Sequence, residues 1–260
     1  MQPLVVSLVQ AATHWHDPGA NRSAFEAWLD LLPDDASLAV LPEMFSTGFT
    51  MNAAEVAETM DGATVAWLRQ QAVTRGVAVC GSAVIAARGN HYNRFLWASA
   101  DTLITYDKRH LFRMAGEHEH FAAGTRRVVI EHAGWRVLPA VCYDLRFPVW
   151  LRNRHDYDVL LCVANWPAAR QAAWRTLLQA RALENQCYVV GVNIIGNDGN
   201  SVEYAGGSVA FSPEGHCLLD AQDAAGVFTI SLDWQALANY RETFPVWRDA
   251  DDFLLDEPSQ

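Results

Sequence analysis

The chain has 260 residues, 51% of them apolar and 19% charged, and carries a formal net charge of −11. That balance allows a sizeable core and argues against nucleic acid as a partner, since phosphate backbones demand clustered Lys and Arg. No stretch approaches the ~20 apolar residues needed to span a bilayer. In chain order, residues 3–9 read as a buried strand and 20–32 as a helix with Phe25, Trp28, Leu29 and Leu32 on one face. Residues 38–41 form a short strand stopped by Pro42, 64–75 a helix and 77–85 a strand. Residues 92–98 and 102–106 pair as a hairpin, as do 127–132 and 135–142 around Ala133-Gly134. A helix over 147–153, a strand over 159–164, a helix over 168–183 and a strand over 187–194 follow. Three short strands lie within 208–232, and a last helix covers 234–240.

Continuous apolar runs such as VLLCVAN and CYVVGVNI predict strands covered on both faces, while the hairpins predict mixed sheets. The expected fold class is α/β. No linker or repeat divides the chain, so one domain over 1–260 is expected. The N-terminus lacks a basic region and a cleavage site, so no secretory leader is expected. The five cysteines are scattered and odd in number, without a CxxC pair. A cytoplasmic location is expected, with most of these thiols acting as small buried hydrophobes.

Chemistry collects at strand ends, where functional groups of open α/β sheets gather. LAVL runs into Pro42-Glu43, TLITYD into Lys108, WRVLPAV into Cys142-Tyr143-Asp144 and VLLCVA into Asn165-Trp166-Pro167. Pro148 suits an early helical position and Asp144 a cap, so Cys142 is expected near a helix N-terminus that favours its thiolate. Backbone N–H groups there, that of Tyr143 among them, suit an oxyanion. Each residue alone has a plainer reading: a buried cysteine, a capping carboxylate, a polar turn. Together, Glu43 as base, Lys108 as stabiliser and Cys142 as nucleophile make the set acyl transfer requires. Phe45, Asn165 and Trp166 are candidates for the pocket wall, with core packing as the alternative for the two aromatics.

Three segments carry a resemblance: Leu41-Pro42-Glu43-Met44-Phe45, Tyr106-Asp107-Lys108-Arg109-His110-Leu111-Phe112 and Val141-Cys142-Tyr143-Asp144-Leu145-Arg146-Phe147-Pro148. They resemble the signature segments of the nitrilase (carbon–nitrogen hydrolase) superfamily, in its order Glu, Lys, Cys. Arg181-Ala182-Leu183-Glu184-Asn185-Gln186 and the segment around Tyr240-Arg241-Glu242 extend the likeness along nearly the whole chain. The resemblance implies an αββα sandwich with two mixed sheets, pairing into a four-layer homodimer with the tail of about 241–260 at the subunit interface. Trp247 and Phe253 are candidates for that contact. It also implies a Glu43–Lys108–Cys142 triad, no metal and no cofactor. A second glutamate is implied seven residues before a glycine, which fits Glu117 and Gly124, with Glu119 as the alternative.

Within the superfamily the chain looks most like the ω-amidase group, whose substrates are ω-amides of short dicarboxylic or 2-oxo acids such as 2-oxoglutaramate. Nitrilase or N-carbamoyl amidohydrolase activity is the alternative. A carboxylate on the substrate calls for a cation, with Arg170 or Arg146 as candidates. The rival class is a metal-dependent protein using His118, Glu119 and His120 with His110 nearby, since His and carboxylate are ordinary ligands. Its segment reads as a loop and no HExxH accompanies it.

Overall fold

Leu38 and Val40 pack into one apolar cluster, Ala39 and Leu41 into another, and all four are buried. A strand with two dry faces belongs inside a layered stack, and that is where the computed structural model, which describes residues 1–255, places it. Strands β1 (Leu4–Gln10), β2 (Leu38–Val40), β3 (Ala78–Ala87), β4 (Asn90–Ala98) and β5 (Leu103–Asp107) belong to a first sheet. Strands β6 (Ile130–His132), β7 (Trp135–Val141), β8 (Val159–Ala164) and β9 (Tyr188–Asn193) belong to a second. A separate hairpin, β10 (Ile195–Asn197) with β11 (Glu203–Ala205), follows. Strands β12 (Val209–Phe211) and β13 (Cys217–Asp220) then extend the second sheet, and β14 (Gly226–Leu232) returns to the first.

The sheet orders are β14-β1-β2-β3-β4-β5 and β13-β12-β9-β8-β7-β6. β1, β2 and β3 run parallel, as do β7, β8 and β9, while the flanking strands are antiparallel. Both sheets are therefore mixed, and the fold is α/β. Helices α1 (Pro18–Leu29), α2 (Ala53–Val56), α3 (Ala63–Arg75), α4 (Glu117–His120), α5 (Pro148–Leu151), α6 (Gln171–Asn185) and α7 (Trp234–Thr243) complete the chain. Phe25 and Leu29 of α1 and Val65, Leu68 and Ala72 of α3 cover the outer face of the first sheet. Trp174, Leu178 and Ala182 of α6 cover the second. The result is helix, sheet, sheet, helix.

Local chemistry explains where elements begin and end. α1 starts two residues before the expected 20–32 span because Asp17 accepts the Ala20 N–H at 2.9 Å and Pro18 takes the first turn. The β6–β7 hairpin turns on Ala133 and Gly134, both with positive φ (50° and 87°), as a two-residue turn of that kind requires. A Cβ on Gly191 would stand 2.5 Å from Leu178 Cδ1 and 2.8 Å from Trp174 Cζ2, so α6 seats directly on the β9 backbone. The expected helix over 147–153 contracts to the single turn Pro148–Leu151. The β10–β11 hairpin and the single turns α2 and α4 lie outside the expected elements.

At the C-terminal side, buried Arg241 of α7 donates to Asp158 Oδ1 at 2.7 Å, to Tyr157 O at 2.8 Å and to Gln186 O at 2.8 Å, tying the last helix to the second sheet. Trp247 stacks on His155 and Phe253 receives the Arg154 guanidinium, so both aromatics pack on their own chain. Residues 256–260 of the expected interface tail lie outside the described residues. Among the described residues no helix is long and apolar enough to cross a membrane.

Candidate active site

Strands β2 and β5 of the first sheet and β7 and β8 of the second deliver Glu43, Lys108, Cys142 and Asn165 to one rim. Glu43, Lys108 and Glu117 have no solvent-exposed side-chain surface. Charges so placed persist only when paired and hydrogen-bonded. Lys108 Nζ donates to Glu43 Oε1 at 2.9 Å and to Glu117 Oε1 and Oε2 at 3.0 and 2.9 Å. The Phe112 N–H also donates to Glu117. Glu119, by contrast, points its carboxylate outward. Burial opposes the Lys108 ammonium, but Glu117 and Glu43 outweigh it and hold its pKa above the ordinary lysine value. Burial raises the pKa of Glu117, partly offset by Lys108 and reinforced by Glu43, because two carboxylates share one ammonium in a dry site.

Glu43 is held on its other side as well. Its Oε2 accepts the Asn165 N–H at 2.8 Å, and its backbone oxygen accepts the Asn165 side-chain amide at 2.7 Å. Asn93 Nδ2 donates to Glu43 Oε1 at 2.8 Å and lies 3.3 Å from Glu117 Oε1. Gly124 donates its N–H to Lys108 O at 2.8 Å, and a Cβ there would meet Asp107 O at 2.0 Å, so this strand crossing admits only glycine.

Cys142 begins a five-residue 3₁₀ turn, Cys142–Arg146, with φ at 47°, a region costly for a residue with a Cβ. Its Sγ lies 3.9 Å from Asn165 O. The expectation of a thiolate held by a helix N-terminus needs correcting. Burial first, then the Glu43 carboxylate, push the thiol well above its ordinary pKa, against the pull of Lys108. A lone 3₁₀ turn offers less positive potential than a long helix, so burial and Glu43 set the direction of the shift toward the protonated thiol.

Asp144 does cap, though it caps this turn instead of the following helix. Its Oδ2 accepts the Val141 N–H at 3.0 Å and the Tyr106 hydroxyl at 2.8 Å; its Oδ1 accepts the His110 N–H at 2.9 Å and lies 2.8 Å from His110 Nδ1. One buried carboxylate thereby fastens the Cys142 elbow to the segment carrying Lys108.

Cys142 opens onto a cavity of about 300 Å³. Tyr143, Asn165, Trp166 and Arg170 line it, as do Arg146 and Phe112. The Arg146 guanidinium stacks over Trp166 at 4.9 Å and that of Arg170 over Phe112 at 5.3 Å. Among the described residues no carboxylate pairs with either arginine. Phe45 is the exception among the expected wall residues. It is fully buried between Phe25 and Trp67 behind the first sheet, because its backbone N–H is taken by Ser82 O and its side chain turns to the α1–α3 layer.

The rival ligand set is not brought together. On the single helical turn α4, His118 Nε2 lies 4.0 Å from Glu119 Oε1, but no third ligand among the described residues joins them, and His110 engages Asp144. Among the described residues no three His, Cys, Asp or Glu side chains form a group able to hold a metal ion.

Sequence reasoning missed several contributors. Ser82 left one signal, a polar residue inside an otherwise apolar strand, whereas Asn93 shares its strand with Asn90, His91 and Arg94 and does not stand out. Trp15 and Tyr204, which also line the cavity, arrive from a loop and from β11, for which neither spacing nor charge gave a sign.

The family model described as Carbon-nitrogen hydrolase matches residues 5–242. Omega-amidase YafV of Yersinia enterocolitica is 47% identical over 257 residues, covering 98% of this chain and 100% of that one. The 2-oxoglutaramate amidase of Bacillus subtilis (strain 168) is 32% identical, covering 94% and 96%. A crystal structure of a Xanthomonas campestris CN-hydrolase superfamily protein with an arsenic adduct in its active site superposes with a TM-score of 0.97 at 46% identity, covering 98% and 100%. A Saccharomyces cerevisiae member of branch 10 of the nitrilase superfamily superposes at 0.84 with 24% identity, covering 94% and 95%, a likeness of fold.

Proposed function

Because the chain belongs to the carbon-nitrogen hydrolase family, it is a hydrolase of non-peptide carbon–nitrogen bonds, and we propose that it cleaves the ω-amide of short dicarboxylic or 2-oxo acids, 2-oxoglutaramate being the reference substrate. The observation that carries this reading is one cavity lined by the Cys142 thiol and by Arg146 and Arg170, neither of which has a carboxylate partner among the described residues, with Asp198 of the same lining engaged by the Tyr204 hydroxyl. On a chain of net charge −11, two such cations in one pocket favour an anionic ligand. The names of the relatives, omega-amidase and 2-oxoglutaramate amidase, support the same substrate class.

In this reading Glu43 takes the thiol proton as Cys142 Sγ attacks the amide carbonyl carbon. The oxyanion is met by Lys108 Nζ and the Tyr143 backbone N–H. Glu43 returns the proton to the nitrogen, the carbon–nitrogen bond breaks, and ammonia leaves a thioester on Cys142. Glu43 then deprotonates water, whose oxygen attacks the thioester carbonyl; the carbon–sulfur bond breaks and the thiol is restored. Glu117 holds Lys108, and Asn165, Trp166 and Arg170 form the acyl pocket with Arg146. The raised pKa of the thiol supports a base-assisted attack over a standing thiolate.

The proposal includes one folding unit over the chain, a homodimer and a cytoplasmic setting. Five unpaired cysteines support the last. Exposed Val149, Leu183 and Phe244 (54%, 47% and 56% exposed) supply apolar surface for a second copy.

The test is ammonia release from 2-oxoglutaramate, succinamate, glutamine, a neutral aliphatic amide, a nitrile and an N-carbamoyl amino acid, with Cys142→Ala alongside. Turnover of the ω-amides by wild type alone is expected. Turnover confined to the nitrile or the carbamoyl compound would discard the substrate class and keep the thiol chemistry.

A further inference from the structure

A buried polar chain behind Glu43 has no part in the mechanism above. Ser82 on β3 and Asn93 on β4 are fully buried. The Met44 N–H donates to Ser82 Oγ at 2.9 Å, and Ser82 Oγ donates to Asn93 Oδ1 at 2.8 Å. Since the hydroxyl proton is directed at Asn93 Oδ1, the orientation of the Asn93 amide is fixed. Its Nδ2 then faces Glu43 Oε1 at 2.8 Å and Glu117 Oε1 at 3.3 Å.

We propose that Asn93, locked by Ser82, is a positioning residue that aims the Glu43 carboxylate at Cys142 and holds it ready to accept a proton. The inference rests on Glu43 acting as the base. A side-chain amide donates without carrying a charge of its own, so it can brace two carboxylates that already share one ammonium without altering the charge balance of the cluster. The same Ser82 hydroxyl secures Met44, whose φ of 44° lies in the left-handed region directly after Glu43. Backbone and side chain of the base are thus fixed from one point.

The test compares pH–rate profiles for ammonia release from succinamate. Asn93→Ala is expected to lower kcat about 100-fold with KM changed less than about threefold. The acidic limb of kcat/KM should move to higher pH, because a carboxylate that loses a donor holds its proton more tightly. Asn93→Asp keeps the side-chain outline and adds a third carboxylate, so it should be at least as slow as Asn93→Ala at neutral pH. A space-filling role predicts the opposite, with Asn93→Asp near wild type. Ser82→Ala should slow kcat about tenfold, and Ser82→Thr, which keeps the hydroxyl, should restore it.

An unmoved acidic limb in Asn93→Ala, or a fast Asn93→Asp, overturns the inference. If the Asn93 variants do not fold, equal rates for Ser82→Ala and Ser82→Thr overturn it, and the expected contrast supports it. If wild type does not release ammonia, the same variants are compared by the pH dependence of Cys142 alkylation with iodoacetamide, where an unchanged profile is the overturning result. Glu43→Gln separates the two ideas. If it stays active, both the base assignment and this inference fall; if it is inactive while the Asn93 variants behave as wild type, the inference alone falls.

Discussion

Glu43 and Asn165 are joined twice, backbone N–H to carboxylate at 2.8 Å and side-chain amide to backbone oxygen at 2.7 Å. One residue leaves the first sheet and the other the second, so this pair spans the seam of the sandwich. Asn165 also presents its backbone oxygen to Cys142. The spacing between carboxylate and thiol is therefore set by how the two sheets pack.

Cys142→Ala should remove activity by at least about 10³-fold while the melting temperature stays within a few degrees. Iodoacetamide should label Cys142 in the native protein and spare Cys80, Cys162 and Cys187, which are fully buried. Mass mapping that places the label on one of those three, with activity lost, would contradict the assignment of the nucleophile.

Lys108→Met should abolish activity and also destabilise the fold by about 3–5 kcal/mol, since two buried carboxylates lose their only ammonium. The folded pKa of Lys108 lies above its ordinary value. Its contribution to stability is thus fully present below the unfolded lysine pKa and is lost only as pH rises through the higher folded value. Urea unfolding of wild type between pH 7 and pH 9 should show no loss traceable to this group.

Asp158 gives the opposite slope. Burial raises its pKa, but Arg136 and Arg241 more than offset this and hold it below the usual carboxylate value. The stability it brings is complete above the unfolded aspartate pKa and is lost as pH falls through the depressed folded value. Asp158→Asn should flatten the acid limb of thermal stability below about pH 4. Arg241→Gln should destabilise at neutral pH by a few kcal/mol, as it strips a cation from a buried carboxylate.

Arg146→Met and Arg170→Met should each raise KM for succinamate about tenfold or more, the effect of losing a charge-assisted contact of roughly 1.5–3 kcal/mol. The KM of a neutral amide of equal length should change less. Equal effects on both substrates would assign the arginines to pocket shape and remove the main support for a carboxylate-bearing substrate.

Much of the fold was legible because its central strands β2, β8 and β9 are buried along their whole length and several of its turns carry Pro or Gly. The β10–β11 hairpin was not, since Ile195–Asn197 and Glu203–Ala205 are three-residue strands with mixed polarity. Glu43, Lys108, Cys142 and Asn165 were legible as polar residues ending apolar runs. The spacing from Gly124 favours Glu117 over Glu119, and one helical turn sends the first carboxylate to Lys108 and the second to solvent. Phe45 could not be resolved from sequence. It follows a bend at Met44, and the direction of a side chain after such a bend is not coded by periodicity.

The left-handed backbone at Cys142 also chooses among the side chains that chemistry alone would accept. Serine shares the unbranched β-carbon of cysteine and can take the same elbow. Threonine cannot do so cheaply, because its branched β-carbon clashes where φ is near +47°. Of the two aliphatic hydroxyls, serine fits this elbow and threonine does not, so the side chains open to the position are narrowed by a single torsion angle.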